Sequence, residues 1–391
     1  MSTVADDFFQ FYQRRNFEKS RRFGAGYTYS NRPVAELLDS IHSPDENYKS
    51  VHIAGTSAKG SVSTYLSRMF LSSGKKTGLY TSPHFTNLYE RIVIDKEQIN
   101  EKDFSSCWNT IRDADTQSQI SFYDALTLIA ILYFSDQSVE WAIFETGLGG
   151  RLDSTNVLKP RLCLFTKIGI DHENILGKGI YNITNEKAGI LKEAVPAYSM
   201  KQPPEVQDVL LEKAKDKSTH IHFFEMDEDQ FDDYRMYNLE FCRWVYKEQF
   251  NQEAPPISIE LTGRLEPVCL KPKIIFDSAH NEMAVEKLYQ WVITQPGEWS
   301  IYLNTMLERD LEKIVAPFIQ SEKYRNRIYL LNGKFARSGL YAKAPKSLKN
   351  KLVEIGDEKQ LLKTLNTSQN HLVFGSMYLY AAMKNTIKKM E

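Results

Sequence analysis

Residues 51–61 have the sequence Val51-His52-Ile53-Ala54-Gly55-Thr56-Ser57-Ala58-Lys59-Gly60-Ser61, and this stretch decides the fold. A short β-branched run ends in a tight turn that carries a lysine. Apolar side chains then recur at spacings of three and four residues. This order predicts a strand, a phosphate-binding loop and a helix. Such a loop presents backbone N–H groups, the positive end of a helix dipole and an ammonium group to an anion.

The loop differs from the usual Walker pattern at two positions. Lys59 is followed by a glycine before Ser61, and Ala58 stands where glycine is usual. If Ala58 needs a positive φ, the loop stores about 1 kcal/mol of strain. The Ser61 hydroxyl would either cap the helix or contact a metal-bound phosphate. Taken alone, the loop is also compatible with an ordinary turn between a strand and a helix.

Length and composition indicate a protein of two domains. The chain has 391 residues, 42% of them hydrophobic and 25% charged, with a net charge of −1. We place the boundary at Pro255-Pro256, which gives domains at residues 1–256 and 257–391. No feature suggests nucleic-acid binding, a membrane span or a signal peptide, so we expect a cytoplasmic monomer. Four scattered cysteines are expected to fill the core rather than bind metal: Cys107, Cys163, Cys242 and Cys269.

Polar residues follow several predicted strands of the first domain. The strand at residues 77–81 is followed by Ser82, the strand at 139–144 by Glu145, and the strand at 162–166 by His172. Open α/β sheets bind their ligands outside the carboxyl ends of the strands. We therefore expect these side chains and Lys59 to converge at one nucleotide and its metal, although a lone histidine is more often structural.

Two further stretches have both a functional and a structural interpretation. Residues 145–153 place three glycines, two acids and a base in one turn, which suits close approach of a ligand. The alternative is a glycine-rich connection with surface charges. Similarly, Lys187 stands beside Glu186, where a solvated ion pair of little energetic value is the default expectation.

The pattern of strands and helices restarts after residue 256. Strands are predicted at residues 274–276, 300–303, 327–331 and 371–374, with helices between them and a helical pair within 348–365. This alternation predicts a second, mostly parallel sheet. The predicted fold class is α/β: a P-loop-type, mostly parallel sheet ATPase domain followed by a smaller Rossmann-like domain.

Seven motifs together resemble the folylpolyglutamate synthase and dihydrofolate synthase family, within the Mur ligase superfamily. Their order and approximate spacing match over most of the chain. The motifs are the loop at residues 55–61, Thr81-Ser82-Pro83-His84, residues 145–153, residues 168–172, Glu186-Lys187-Ala188-Gly189-Ile190, Gly263-Arg264-Leu265-Glu266, and residues 277–281.

The resemblance implies an ATP-dependent amide ligase. In the family, a substrate carboxylate attacks the γ-phosphate of ATP to give an acyl phosphate, and the amine of L-glutamate then displaces phosphate. The implied cofactors are ATP and Mg²⁺, and the implied acceptor is dihydropteroate or folate. Positioning and electrostatic stabilisation would supply most of the acceleration.

The resemblance also implies roles for individual residues. The implied catalytic residues are Lys59, Lys187, His172 and Glu145, of which Lys187 resembles a lysine that family members carry as a carbamate. ATP would be bound by Ser57, Ala58, Lys59, Gly60, Ser61, Asn238, Arg264 and Asp277. Magnesium would be bound by Ser82, Glu145 and His172. Substrate-binding positions would be residues 26–29, Phe122, Tyr123, Asp124, Leu152, Asp153, Ser154 and His280.

Departures from the family pattern leave two alternatives open. Tyr123-Asp124 differs from the usual acidic and aromatic arrangement, which is compatible with another Mur-type ligase that uses a non-pterin acceptor. The second alternative is a nucleotide-binding protein whose turnover is impaired by Ala58.

Overall fold

The computed structural model describes residues 3–13, 30–117, 119–305, 310–324, 327–332, 344–365 and 369–388. The chain divides into two compact units. Unit 1 comprises Met1–Asp227 and Asn238–Ile257, and unit 2 comprises Glu228–Tyr237 and Ser258–Glu391. The sequence-based division assigned residues 228–237 to the first domain, whereas in the structure this segment groups with unit 2.

Strands and helices alternate through unit 1. Its strands are β1 (Lys49–Ala54), β2 (Thr77–Tyr80), β3 (Ile92–Ile94), β4 (Glu97–Gln98), β5 (Trp141–Glu145), β6 (Leu162–Phe165), β7 (Ala197–Ser199) and β8 (Ile221–Phe223). Its helices are α1 (Val4–Phe11), α2 (Arg32–Ser40), α3 (Lys59–Ser72), α4 (Glu101–Ala114), α5 (Phe122–Asp136), α6 (Glu173–Leu176), α7 (Gly179–Ala188) and α8 (Pro204–Asp216). Helix α9 (Tyr234–Phe250) begins in the segment that groups with unit 2 and continues in unit 1.

The sheet of unit 1 has eight strands in the order β4-β3-β2-β5-β1-β6-β7-β8. Pairing is parallel except where β3 pairs with β2 and with β4. Strand β1 lies between β5 and β6, with Ile53 opposite Glu145 and Ala54 opposite Phe165. This register brings the carboxyl ends of β1, β5 and β6 to the same end of the sheet. The prediction of a mostly parallel sheet is confirmed.

Helices α3 and α5 bury apolar faces in unit 1. On α3 the residues predicted from helical spacing are buried: Val62, Tyr65, Leu66, Met69 and Phe70. Helix α5 is buried over most of its length, as its continuous apolar composition predicts. Cys107, Cys163 and Cys242 are buried among these elements, which confirms the prediction for three of the cysteines. Among the described residues, no helix is long and apolar enough to cross a bilayer.

Unit 2 is built around a second sheet, as predicted. Its strands are β9 (Glu266–Leu270), β10 (Lys273–Asp277), β11 (Trp299–Asn304), β12 (Ile328–Leu331), β13 (Val353–Ile355) and β14 (Asn370–Gly375), and its helices are α10 (Glu282–Thr294), α11 (Leu311–Gln320), α12 (Lys346–Lys349), α13 (Glu358–Leu365) and α14 (Met377–Ile387). The strand order is β13-β12-β11-β14-β10-β9, and pairing is parallel except between β9 and β10.

The predicted helical pair within residues 348–365 is wrong in one respect. Strand β13 lies between the two helices and forms an edge of the sheet. Only Ile355 of its three residues is buried, whereas Val353 and Glu354 are exposed. A short edge strand buries few side chains, so it lacks the apolar run by which strands are recognised in a sequence.

Candidate active site

The phosphate loop follows β1 and is tied to the residues after β6. The Thr166 hydroxyl donates a hydrogen bond to the carbonyl oxygen of Ser57 at 2.6 Å. The backbone N–H groups of Thr56 and Ser57 both donate to the carbonyl oxygen of Lys167. A Cβ atom at Gly55 would lie 1.8 Å from Thr166 Oγ1, so only glycine fits this position. The chain therefore fixes the loop through its own hydrogen bonds.

Ala58 has the conformation on which the predicted strain depends. Its φ of 67° and ψ of −1° lie in the left-handed region, immediately before α3 begins at Lys59. An alanine there costs roughly 1–2 kcal/mol relative to the right-handed region. The nearby Ser61 Oγ is buried and has no hydrogen-bond partner within the described parts of the chain, so this hydroxyl does not cap the helix. A buried hydroxyl without a partner in the chain is available to a phosphate oxygen or a metal ion.

Two lysines converge on one carbonyl oxygen. Lys59 Nζ lies 3.2 Å and Lys187 Nζ lies 2.7 Å from Gly55 O. The two ammonium groups are thus within about 6 Å of each other, where like charges repel by about 3 kcal/mol at an effective dielectric constant near 20. The site therefore contains positive charge that a bound anion would neutralise.

Lys187 is buried, contrary to the expectation of a solvated pair. Its exposed fraction is 4%. Burial, with a further contribution from Lys59, lowers the pKa of Lys187 to about 7, although Asp171 and Asp153 oppose the shift. The neighbouring Glu186 pairs instead with Arg151, Nη2 to Oε1 at 2.7 Å. A large fraction of Lys187 is therefore the neutral, nucleophilic amine at neutral pH.

Two of the three predicted metal residues, Ser82 and Glu145, lie together at the carboxyl end of the strands. Glu145 is 5% exposed and accepts a hydrogen bond from the backbone N–H of Ser82 at 3.2 Å. Its carboxylate also faces the first turn of α3, because a Cβ at Gly60 would lie 3.4 Å from Glu145 Oε2. Ser82 and Glu145 are thus brought together beside the phosphate loop.

His172 comes with a carboxylate that sequence reasoning did not select. Asp171 is 8% exposed, accepts the backbone N–H of His172 at 2.8 Å, and lies 3.7 Å from its Nε2 atom. The same carboxylate acts electrostatically on Lys187. The sequence signal for Asp171 was its position directly before His172, in the segment that follows β6. Nothing in the sequence indicated that the Asp171 side chain would be buried.

Two of the predicted substrate-binding segments, residues 122–124 and 152–154, meet in unit 1, mostly through buried side chains. The Ser154 hydroxyl donates to Asp124, which forms a capping box with Ser121 at the start of α5. Phe122 is also buried. Tyr123 is partly exposed and its hydroxyl donates to the carbonyl oxygen of Glu145 at 3.5 Å. Leu152 is partly exposed as well, and the predicted segment at residues 26–29 lies outside the described residues.

Asp153 is fully buried in a hydrogen-bond network under the glycine-rich turn. Its carboxylate accepts the Leu148 N–H at 2.9 Å and the Thr155 hydroxyl at 2.5 Å. Because that hydroxyl is already a donor, His52 Nε2, at 2.7 Å from it, must carry the proton that completes the network. Burial lowers the pKa of His52 well below its ordinary value. The Asp153 side chain therefore holds the turn by accepting one of its backbone N–H groups. Because this side chain is fully buried, it is not exposed to a ligand.

The remaining ATP-binding candidates are described within their own units. In unit 1, Asn238 is 3% exposed on α9. In unit 2, Asp277 ends β10, is 2% exposed, and interacts electrostatically with Arg264. His280 is partly exposed, and its Nδ1 lies 2.8 Å from the carbonyl oxygen of Ser278.

The residues at the edge of the first sheet fit a magnesium ion that is also held by phosphate oxygens. Mg²⁺ prefers oxygen ligands and usually takes one or two carboxylates together with substrate phosphates. Ser82, the buried Glu145 and the unpaired Ser61 hydroxyl supply such oxygens. Among the residues that the structure describes, no three His, Cys, Asp or Glu side chains form a metal cluster. Any ion here would therefore depend on mixed ligands.

Known proteins with similar sequences are named as dihydrofolate synthases, folylpolyglutamate synthases or both. No model of a protein family matches the chain. It is 32% identical over 360 residues to a dihydrofolate synthase/folylpolyglutamate synthase of Buchnera aphidicola, which covers 83% of this chain and 85% of the relative. A Bacillus subtilis protein of the same name is 31% identical over 300 residues, covering 65% of this chain and 70% of the relative.

Solved structures show the same fold over almost the whole chain. The folylpolyglutamate synthase of Mycobacterium tuberculosis, complexed with ADP and AMPPCP, has a TM-score of 0.81 at 21% identity and covers 98% of each chain. Escherichia coli FolC in complex with DHPP and ADP has a TM-score of 0.78 at 19% identity and covers all of both chains. The sequence identities to curated relatives, together with this fold, establish that the chain belongs to the dihydrofolate synthase/folylpolyglutamate synthase family.

Proposed function

We propose that this protein is an ATP-dependent amide ligase that adds L-glutamate to a folate-type acceptor, either dihydropteroate or a reduced folate. The names of the curated relatives and the ADP and DHPP complex of Escherichia coli FolC support the proposal. The observation that carries it is the convergence of Lys59 and Lys187 on Gly55 O at the end of the central strand.

The phosphate loop binds the triphosphate of ATP. Lys59 supplies a positive charge for the β and γ phosphates, and the start of α3 supplies backbone N–H groups and the positive end of the helix dipole. Ser82, Glu145 and His172 would hold Mg²⁺ beside this loop, and the buried Ser61 hydroxyl, unpaired among the described residues, would supply a further oxygen. When bound, Mg²⁺ supplies the charge that neutralises the triphosphate and the transferring phosphoryl group.

Lys187 acts as a carbamate. The neutral amine adds to CO₂: an N–C bond forms, one C–O π bond of CO₂ opens to give a carboxylate, and one proton is released, so the neutral amine becomes an anion. Counted from the ammonium form of Lys187, two protons are released and a cation becomes an anion. The pKa near 7 supports this step because it provides the neutral amine at physiological pH. The modification also replaces the repulsion between Lys187 and Lys59 by attraction, which balances the charge of the loop.

The reaction then requires positioning rather than a protein nucleophile. An oxygen of the acceptor carboxylate bonds to the γ-phosphorus while the bond to ADP breaks, which gives an acyl phosphate. The amine nitrogen of glutamate bonds to the acyl carbon, the bond to phosphate breaks, and the amine loses a proton. Lys59 stabilises the charge that develops on phosphate oxygens, and the buried edge of the sheet excludes water. The partly exposed Tyr123, beside Glu145, places the acceptor at this edge.

The proposal is tested by phosphate release from Mg-ATP with L-glutamate, comparing dihydropteroate, tetrahydrofolate and no acceptor, with product mass as the check. Release that depends on dihydropteroate, with one glutamate added, would establish the synthase reaction. Release with tetrahydrofolate would add the polyglutamate reaction. Nucleotide binding without release in either case would contradict the proposal and favour a different acceptor or a chain impaired at Ala58.

A further inference from the structure

Arg264 lies in a tight loop of unit 2 with an unusual backbone. The loop is closed by a hydrogen bond from the Arg264 N–H to the carbonyl oxygen of Leu261 at 3.2 Å. The following residue, Leu265, has a φ of 44°, in the left-handed region that non-glycine residues rarely adopt. Such a conformation persists only when surrounding contacts hold it. The direction of the Arg264 side chain thus depends on what fixes this backbone.

Asp277 provides one of these contacts. Its carboxylate accepts the backbone N–H of Leu265 at Oδ2 and the N–H of Ala279 at Oδ1, both at 2.8 Å. The hydroxyl of Tyr234 donates to the same Oδ2 atom. Tyr234 therefore joins the carboxylate that holds the left-handed residue, although it lies 30 residues before Arg264 in the sequence.

Arg235 provides a second contact from the same segment. Its Nη1 donates to the carbonyl oxygens of Arg264 and Leu265 at 3.3 and 3.5 Å. The rest of the guanidinium group is held by Asp233, through Nη2 at 2.7 Å and Nε at 3.1 Å. A guanidinium fixed on one side by a carboxylate is a rigid donor on its other side.

The segment that carries these two residues is itself anchored in unit 2. Lys287 on α10 pairs with Glu228 at 3.3 Å and with Asp229 at 3.2 Å. Residues 228–237 thus contact the rest of unit 2 at both ends. The beginning of the segment forms the two ion pairs with Lys287, and its end makes the contacts of Tyr234 and Arg235. This arrangement explains why the segment groups with unit 2.

We propose that Tyr234 and Arg235 are positioning residues that fix the backbone at Arg264, the residue to which the family resemblance assigns a contact with ATP. They hold its backbone from two sides, Tyr234 through Asp277 and Arg235 directly through the carbonyl oxygens of the loop. The proposal rests on the proposed use of ATP and on that implied contact of Arg264 with the nucleotide. Neither residue needs to contact ATP itself.

The first test is Tyr234→Phe, which removes one hydroxyl and retains the buried ring. A charge-assisted hydrogen bond of this kind corresponds to a change of about tenfold, so we expect KM for ATP to rise by about that factor with kcat within about twofold of wild type. Arg235→Gln is a second variant with the same expectation. Tyr302→Phe is the matched control, because it removes a tyrosine hydroxyl that donates to Thr364 O elsewhere in unit 2.

A double-mutant cycle separates positioning from a general loss of structure. If Tyr234 acts through Arg264, Tyr234→Phe should leave the ADP affinity of the Arg264→Ala variant unchanged, as measured by titration calorimetry. An equal further loss in that background would overturn the proposal, as would an unchanged KM in both Tyr234→Phe and Arg235→Gln. Failure of the wild-type protein to bind ADP would instead count against the proposed function, so the two failures are distinguishable.

Discussion

Lys187 in unit 1 and Asp277 in unit 2 are both buried charged side chains beside strand ends, but the chain compensates them differently. Lys187 donates to Gly55 O, which it shares with a second ammonium group. Asp277 accepts two backbone N–H groups and a tyrosine hydroxyl. Burial raises the pKa of Asp277, but Arg264, the Tyr234 hydroxyl and both backbone N–H groups oppose that shift. The comparison teaches that the phosphate loop needs added negative charge, whereas the hydrogen bonds of Asp277 make its loop a scaffold.

The largest expected effect is the loss of activity on replacing Lys59 in the phosphate loop. Lys59→Ala should lower kcat/KM for ATP by about 10²–10³-fold or more, because it removes charge stabilisation from the transferring phosphoryl group. The fold should be retained, since Lys59 is the half-buried first residue of α3, and removing it relieves the repulsion with Lys187. Steady-state kinetics and thermal unfolding measure the two effects. Lys215→Ala, an exposed lysine on α8, is the control, and a near-wild-type rate for Lys59→Ala would refute the phosphate assignment.

Removing the charge of Lys187 should stabilise the protein while abolishing turnover. In CO₂-free buffer, in which Lys187 is unmodified, Lys187→Met is expected to raise the free energy of unfolding near pH 7 by roughly 1–4 kcal/mol, since each unit of pKa shift corresponds to about 1.4 kcal/mol. Denaturant titration measures this change. Lys76→Met is the matched control, because it removes a half-buried ammonium group that donates to the carbonyl oxygen of Gln137, and it should lose stability. A loss of stability in Lys187→Met would contradict the claim that this charge is uncompensated.

The pH dependence of the same pair follows from the lowered pKa. Below pH about 7, Lys187 is charged in both the folded and the unfolded protein, so its destabilising effect is fully present. As pH rises from about 7 toward 10.5, only the unfolded state remains protonated, and the effect disappears. The stability difference between Lys187→Met and wild type should therefore shrink across this range. Wild-type activity should rise through pH 7 and fall when dissolved CO₂ is removed.

Removing the charge of Asp277 should lower the free energy of unfolding, which is opposite in sign to the effect of Lys187→Met. Asp277→Asn places an amide group among three donors, so at least one of them loses its acceptor. We expect a loss of about 2 kcal/mol in the free energy of unfolding, in the range for hydrogen bonds to charged groups. Asp208→Asn, an exposed carboxylate on α8, should change stability little. If Asp277→Asn were as stable as wild type, the two sites would not differ in the way described here.

The smallest expected effect concerns Ala58. Ala58→Gly relieves left-handed strain of roughly 1–2 kcal/mol but adds flexibility to the unfolded chain worth about 0.4–1 kcal/mol, which leaves a net gain near 0.5 kcal/mol. Ala35→Gly in the helix α2 should instead lose about 1 kcal/mol. Activity should be maintained in Ala58→Gly. A destabilised variant would show that the left-handed conformation carries no strain.

The sequence predicted those features that depend on local pattern. Strand β1, the loop and α3 follow from an apolar run, a glycine turn and helical spacing, and the strand ends at Ser82, Glu145 and His172 follow from the same logic. The two α/β sheets were also predictable. Strands β7, β8 and β9 were not, because they are short or lie at sheet edges and lack a continuous apolar run.

The features that the sequence did not predict depend on distant partners. Lys187 was expected in a solvated pair, but Glu186 pairs with Arg151, 35 residues away. Likewise, Glu228 and Asp229 pair with Lys287, which lies more than 50 residues farther along the chain. Neither partner can be inferred from local spacing, because each depends on how separate segments pack.

The most direct test of the account is transfer of ¹⁸O from the acceptor to phosphate. Wild-type protein would be incubated with Mg-ATP, L-glutamate and dihydropteroate labelled with ¹⁸O in its carboxylate, and the phosphate released would be analysed by mass spectrometry. An acyl-phosphate intermediate predicts one ¹⁸O atom in each phosphate released together with the glutamate adduct. Phosphate without ¹⁸O, formed while the adduct accumulates, would contradict activation of the acceptor carboxylate by ATP.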